Sequence, residues 1–569
     1  MSEYLSRDRK DVGWLTKNIP CRTFCPAGTD IPAYIDAIAQ GEYAMSYEIN
    51  RRDNIFPGIL GRVCTRPCEA PCRHGYEGLG DPVAICYLKR VAWDRGRFDV
   101  SKSWKREDPT GKKIAVVGSG PAGLACANDM ALLGHEVTIY EKEKIPGGMM
   151  TLGIPKFRLP KEVTDFDIQS VLSLGVGLKT GVTLGEDIFL ADLSREYDAV
   201  VAALGTMETV RLGIPGEEGE GVHLGLDFMM RVNKGDIDGV PERVLVIGGG
   251  FTAVDCVRSS VRLGGKEVKL IYRRTQAEMY IDKHELEEME VEGIEDTYLV
   301  SPVEVMRNGK GEVEAVKCVR NVLGEADASG RRSPVPVEGS EFVIETDYLI
   351  AAIGQRAEKA PLEGFMDKKK VKDFRFGRQN VFICGDVRTG ASNIIEATAE
   401  GKMAADRIHV FLTGKKPLKV AVSIKDLPGP DTGRERSYDF IELQHMPTLE
   451  LKERFDMRAE VQQGFNDDTS LLEARRCYLC DHDYQIHIDR CIYCCACIEA
   501  MPRKCIFLAS DVNVDDDGSM EVLEANGWDE VAAVVIDNIE CIRCGNCIRA
   551  CPVDCISVAK VRPLTERGD

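Results

Sequence analysis

A chain of 569 residues, at about 150 residues per domain, is too long for a single binding module and calls for several cores. Hydrophobic residues make up 44% and charged residues 29%, the balance of a folded globular protein. With 73 Lys and Arg against 92 Asp and Glu, the net charge of -19 disfavours nucleic acid and anionic lipid as partners; the polar N-terminus and the lack of long uncharged apolar runs predict no membrane insertion and a cytoplasmic location.

The 22 cysteines are unevenly spread: six in residues 1–86, four in 87–476 and twelve in 477–569. Cysteines packed at the two ends of a large chain point to metal binding, with iron and sulfur first, rather than to a disulfide framework. Near the start stand Cys21-x3-Cys25-Pro26 and Cys64-x3-Cys68-x3-Cys72, among helix-like runs at 31–40 and 83–93.

From Lys112 onward, apolar strand-like runs alternate with glycine turns and helical patterns, which predicts doubly wound parallel sheets of α/β class. The run KKIAVV leads into Gly118-Ser-Gly120-Pro-Ala-Gly123, and Glu141 follows 23 residues after Gly118. Glycines at those places permit a tight turn and close approach of a pyrophosphate to a helix N-terminus, and the carboxylate suits ribose hydroxyls. A second fingerprint, Gly248-Gly-Gly250-Phe-Thr252-Ala253, follows RVLVI, but its next strand ends in Arg273 and Arg274 where an acid would bind a ribose diol. An arginine pair can grip a 2′-phosphate, which favours NADP(H) and leaves NAD(H) open. Two dinucleotide folds suggest one flavin and one nicotinamide.

In the tail, CIYCCACIEAMPRKCI (491–506) and CIRCGNCIRACPVDCI (541–556) form an internal repeat. The second is the bacterial ferredoxin run, whose first three cysteines hold one cluster while the fourth crosses to the other. Cys491, Cys494, Cys497 and Cys551 then complete one 4Fe-4S cluster. Cys541, Cys544 and Cys547 meet Met501 at the crossing position, with Cys505 the nearest substitute and a 3Fe-4S or unusually ligated cluster as the outcome otherwise. Cys477-x2-Cys480 suits zinc, a further cluster or neither. Cys126 and Cys256 read as inert core cysteines, and no general acid/base constellation is present.

The motifs GSGPAGL (118–124), PGGMMTLGIPKFRLP (146–160), GGGFTAVD (248–255), YRRT (272–275), AAIGQ (351–355) and ICGD (383–386) together resemble the small subunit of bacterial glutamate synthase and its relatives, including the flavin half of dihydropyrimidine dehydrogenase, over about residues 18–415. The resemblance implies tandem Rossmann-like FAD and NADP folds of disulfide-reductase type, with Gly148, Arg158, Gly385 and Asp386 also at the FAD. It differs at Phe251, where relatives carry Asn or Asp. It also implies an N-terminal cluster held by Cys25, Cys64 and Cys68, the fourth ligand being open among Cys21, Cys72, Cys86 or another group. Relatives with two clusters there carry a further CxxC upstream of the position of Cys21, so one is expected here and about three in all.

The expected domains are a helical iron–sulfur domain at 1–105, an FAD domain at 106–235 and 345–415, an NADP domain at 236–344, a linker at 416–476 and a two-cluster ferredoxin-like α+β domain at 477–569. The expected function is an electron-transfer subunit that passes electrons between NADPH, FAD and clusters to or from other subunits of an oxidoreductase complex or ferredoxin. A free-standing ferredoxin:NADP oxidoreductase, with or without electron bifurcation, and a non-catalytic redox-sensing scaffold are the alternatives.

Overall fold

A computed structural model describes residues 12–565 apart from 77, 282, 328–329, 359–361, 363–373, 376–379, 416–419, 430–433 and 515–519. The charged stretch before residue 12 and part of the expected linker therefore lie outside the described residues. The chain forms two compact units, one of residues 100–413 with 448–463, the other of 1–99, 414–447 and 464–569.

The first unit carries two five-stranded parallel sheets. In the first, the order is Val381–Ile383, Ala199–Ala202, Lys113–Val117, Glu136–Glu141, Gly177–Thr180. Its central strands are apolar almost throughout because helices cover both faces. The helix Ile394–Thr413 lies directly on Pro121–Leu132, since a Cβ on Gly401 would stand 2.1 Å from the Ala122 carbonyl oxygen.

In the second sheet the order is Val222–Leu224, Tyr348–Ala351, Arg243–Ile247, Glu267–Tyr272, Glu295–Tyr298. The limits of 236 and 344 expected for this fold thus cut through its sheet, which gathers strands from both sides of them. A parallel sheet recruits strands far apart in sequence, and a four-residue apolar run suits either fold. An antiparallel sheet of Val300–Arg307, Val313–Ala326, Arg332–Pro336 and Phe342–Glu345 is interposed before the closing strand.

In the other unit, helix Pro57–Val63 runs against helix Ile85–Gly96 at backbone distance. A Cβ on Gly58 would meet the Trp93 ring at 2.5 Å, and one on Gly61 would meet the Arg90 Cα at 2.7 Å. Only glycine permits that approach, and it brings Cys64, just past the first helix, beside Cys86 at the start of the second.

The tail folds with the two-fold pattern of its repeat. The strand before the first cysteine run, His482–Ile486, pairs with the strand after the second, Ile556–Thr565. The strand before the second run, Ala533–Ile536, pairs with the strand after the first, Ile506–Val514. The stretch expected as a linker contributes Val420–Asp426, which pairs along Ile556–Thr565, and a helix at Asp467–Arg475. Its strand is short, polar at one end and edge-placed, so it leaves little periodicity to read.

Candidate dinucleotide cradles and cysteine sites

In the first fold each fingerprint glycine has its own reason. Gly118, at φ 103°, makes the tight turn, and a Cβ there would strike the Ala203 carbonyl oxygen at 2.4 Å. Gly123 packs helix on strand, its would-be Cβ 2.0 Å from the Gly118 carbonyl oxygen. Gly120 caps the helix Pro121–Leu132, and a Cβ there would meet nothing within 4 Å. That open space over a helix N-terminus is where an anion fits. Gly148 (φ 53°) stands over Gly120, with its would-be Cβ 3.0 Å from the Gly120 Cα; Gly385 (φ 74°) reaches Ala122 beside it. Fingerprint, PGG turn and ICGD turn therefore meet at one helix start and fit FAD. Glu141 is buried at the end of the second strand, where its carboxylate accepts hydrogen bonds from the Ser119 backbone N–H (2.8 Å) and Oγ (2.6 Å). Asp386 accepts from Ser392 Oγ at 2.5 Å, and burial pushes its carboxyl up.

The second cradle repeats the pattern. Gly248 lies against the Ala352 carbonyl oxygen and Gly249 against the Tyr272 ring, while Gly250 opens the helix Phe251–Arg262 with free space at its Cα. Thr252 and the buried Ala253 lie in that helix's first turn. Arg273 is exposed, whereas Arg274 is buried, donating to Asp327 Oδ2 and to the Arg332 carbonyl oxygen, each at 2.7 Å. Of the expected pair, only Arg273 faces solvent.

Arg158, expected at the flavin, donates to Asp255 Oδ1 (2.7 Å) and Glu285 Oε1 (2.6 Å) of the second fold. A buried guanidinium must be paired, and these carboxylates pair it. The network continues through Arg258, which bonds Glu285 and Glu292, through Arg262 to Glu292, and through Arg454 of the 448–463 segment to Glu288. Phe251, the departure from the family pattern, has the Arg158 guanidinium 5.7 Å from its ring centroid.

Eighteen of the 22 cysteines gather in four groups, all within the unit of residues 1–99, 414–447 and 464–569, while Cys126, Cys256, Cys318 and Cys384 are buried singly in the other. Cys25, Cys64, Cys68 and Cys86 surround the buried Lys89, whose ammonium is opposed by burial and supported by all four thiols. Cys21, Cys72, Cys477 and Cys480 line a second space of about 370 Å³. Met501, Cys505, Cys541, Cys544 and Cys547 line a third, of about 320 Å³, and Cys491, Cys494, Cys495, Cys497, Cys551 and Cys555 a fourth, of about 350 Å³. Among the described residues no three His, Cys, Asp or Glu side chains converge on one ion, around which thiolates would stand about 2.3 Å from a zinc.

The crossed strand pairing explains the tail groups. Cys505 precedes Ile506, which pairs with Ile536 at the head of the second run, and a thiol hydrogen bond from Cys505 lowers the Cys541 thiol. Met501 does face the second run's space, and its sulfur accepts the Cys505 backbone N–H at 3.4 Å, as the Cys551 sulfur accepts that of Cys555 at 3.4 Å. The thioether holds the place of a ligand while Cys505 stands beside it with a thiol.

Three stretches match known families. Residues 112–401 match the pyridine nucleotide-disulphide oxidoreductases, 15–99 the 4Fe-4S domain II of dihydropyrimidine dehydrogenase, and 534–557 the 4Fe-4S binding domain. The chain is 34% identical to the small chain of NADPH glutamate synthase from Escherichia coli, over 69% of itself and 88% of that protein. It belongs to this family of flavin and iron–sulfur oxidoreductases. It is also 38% identical to the beta subunit of an NADP(+)-dependent formate dehydrogenase from Moorella thermoacetica, over 81% of itself and 70% of the relative. A third relative, the beta subunit of an NADPH-Fe(3+) oxidoreductase from Geobacter sulfurreducens, is 36% identical over 81% and 75%. Tandem nucleotide folds, FAD, NADP and 4Fe-4S clusters, and an electron-transfer role are thereby those of this chain too. Among the described residues no helix is long and apolar enough to cross a membrane.

Proposed function

We propose that this chain is the NADPH-handling subunit of a larger oxidoreductase, exchanging electrons with a catalytic partner subunit rather than with free ferredoxin. The observation that carries it is one chain with two dinucleotide cradles in one unit and grouped cysteines in the other. A nicotinamide gives electrons in pairs as hydride, a flavin takes the pair and releases it singly, and a cluster carries one at a time.

In this reading Gly118, Gly120, Gly123, Gly148, Gly385 and Asp386 hold the FAD, and Glu141 orients its ribose. Gly248, Gly250, Thr252 and Ala253 hold the NADP(H) pyrophosphate, with Arg273 at the 2′-phosphate. Arg274 and Arg158 position these folds instead of touching cofactor. Cys25, Cys64, Cys68 and Cys86 bind one cluster, with Lys89 offsetting its negative charge. In the tail, Cys541, Cys544, Cys547 and Cys505 bind one cluster, and Cys491, Cys494, Cys497 and Cys551 another.

Support for a partner subunit comes from relatives that are themselves beta or small chains. Anaerobic titration of the purified chain tests the reading: NADPH should bleach the flavin absorbance stoichiometrically and far faster than NADH. A flavin untouched by NADPH would sink it. Fast, saturable reduction of free ferredoxin by the chain alone would favour the free-standing enzyme.

A further inference from the structure

The group that no motif announces is Cys21, Cys72, Cys477 and Cys480, drawn from segments some 400 residues apart. Their common space is lined otherwise mostly by apolar groups such as Pro20, Ile31 and Ile35, with Arg73, His74 and Tyr478 as its polar members. Cys21 and Cys480 are buried within it.

A second, independent observation is local conformation. Eight non-glycine residues with positive φ are found among those described, a backbone that costs about 1–2 kcal/mol at each. Four of them, Arg66, Leu479, Tyr493 and Arg543, stand two residues after Cys64, Cys477, Cys491 and Cys541. In three cases the backbone N–H of that residue donates to the cysteine sulfur, at 3.5 Å for Arg66 and 3.4 Å for Tyr493 and Arg543. Leu479, at φ 51°, takes the same left-handed backbone two residues after Cys477. The turn wraps a backbone donor around sulfur charge, and Cys477 shares it with cysteines of all three groups read above as cluster sites.

The segment is also built to stay in place. Buried Glu473 accepts from the Ala84 backbone N–H (2.7 Å) and from Arg476 (2.7 Å), and Arg476 donates to the Asp81 and Pro82 carbonyl oxygens, clamping the entry to Cys477 onto the loop that carries Cys72.

We propose that Cys21, Cys72, Cys477 and Cys480 bind a fourth 4Fe-4S cluster, assembled from both ends of the chain. This rests on the iron–sulfur reading above and departs from the expectation of one cluster near the N-terminus and about three in all. The position also adjoins the second tail run, where Cys480 packs with Ile542 and Cys544. Arg73, beside Cys72, donates to the Cys541 carbonyl oxygen at 3.4 Å.

Iron, acid-labile sulfide, zinc and FAD should be counted in anaerobically purified protein and in the C477S/C480S double variant. The expected result is about sixteen iron and sixteen sulfide per chain, at four each per cluster, falling by about four in the variant, with FAD retained and NADPH still bleaching it. Unchanged iron in the variant, or the loss of one zinc with iron unchanged, overturns the proposal. Should the variant not accumulate, the unaltered protein decides: about sixteen iron upholds the site and about twelve removes it. Failure of NADPH to reduce the flavin would count against the proposed function alone.

Discussion

Gly120 and Gly123 stand three residues apart, yet a methyl group would do opposite things at each. At Gly123 it would overlap the Gly118 carbonyl oxygen, so G123A should fail to fold or lose several kcal/mol, as overpacked cores do. At Gly120 it meets only open space, so G120A should fold normally and be purified without FAD, read by flavin absorbance, with a melting temperature equal to that of the unaltered chain stripped of FAD. A flavin-replete G120A would show that the cradle lies elsewhere. The adjacent arginines separate in the same way. R273A should narrow the preference for NADPH over NADH by about ten- to a hundred-fold in kcat/KM, the worth of one or two charge-assisted hydrogen bonds. R274A should lower stability and leave that ratio alone, because Arg274 is committed to Asp327 and Arg332. Sequence shows two like charges side by side. Successive side chains leave a strand end in opposite directions, so one turns to solvent and its neighbour inward, which only the fold reveals. Cys505, named in the sequence as the nearest substitute for the missing crossing ligand, could not be told there from the matching Cys555 of the repeat; strand pairing sets it beside Cys541. C505S should lose about four iron or yield a 3Fe-4S signal in electron paramagnetic resonance, whereas M501A should keep its cluster.

Among the elements, helix Phe251–Arg262 and helix Lys283–Val291 share an apolar core through Val254, Val257 and Met289 and are joined also by buried charge. Against burial, Arg158 and Arg258 draw the Glu285 carboxyl down to about 2 from its ordinary 4.5. A depressed carboxylate stabilises the fold above pH 4.5, and that share is lost as pH falls from 4.5 toward 2. Asp255 runs the other way: burial lifts it to about 6 from 3.8, so its contribution is full below 3.8 and declines as pH rises to 6. E285Q should therefore cost about 3 kcal/mol at pH 7, and its melting temperature, followed by flavin fluorescence, should fall less steeply below pH 4.5 than that of the unaltered chain. An equal fall in both would mean that Glu285 is not ionised in the fold. Central strands such as Lys113–Val117 and Arg243–Ile247 were legible because apolar runs ending in glycine are unmistakable. The arginine–carboxylate network was not, since its members are spread over residues 158–454 with no period to connect them.

At the scale of the whole molecule, composition and motifs sufficed for the architecture, and the family match agrees with it. What they could not supply is the partnership between chain ends. Cys21 and Cys477 are remote in sequence, and four-cysteine sites assembled across such distances leave only half-motifs behind, a CxxC at one place and single cysteines at the other. The strand Val420–Asp426 hid for a related reason: its register is set by Ile556–Thr565, far downstream.

The division into units has a mechanical side. The backbone passes from one unit to the other four times, at 99/100, 413/414, 447/448 and 463/464. A chain threaded in this manner resists being taken apart by a protease: a single nick in any surface loop leaves both fragments interlaced through shared sheets and buried ion pairs, and they part only in denaturant. The ferredoxin-like tail is for the same reason no detachable cargo. Cutting the gene at position 476 would strip Val420–Asp426 of its pairing strand and take Cys477 and Cys480 away from the N-terminal helices, so the damage from losing the last residues would surface at the first.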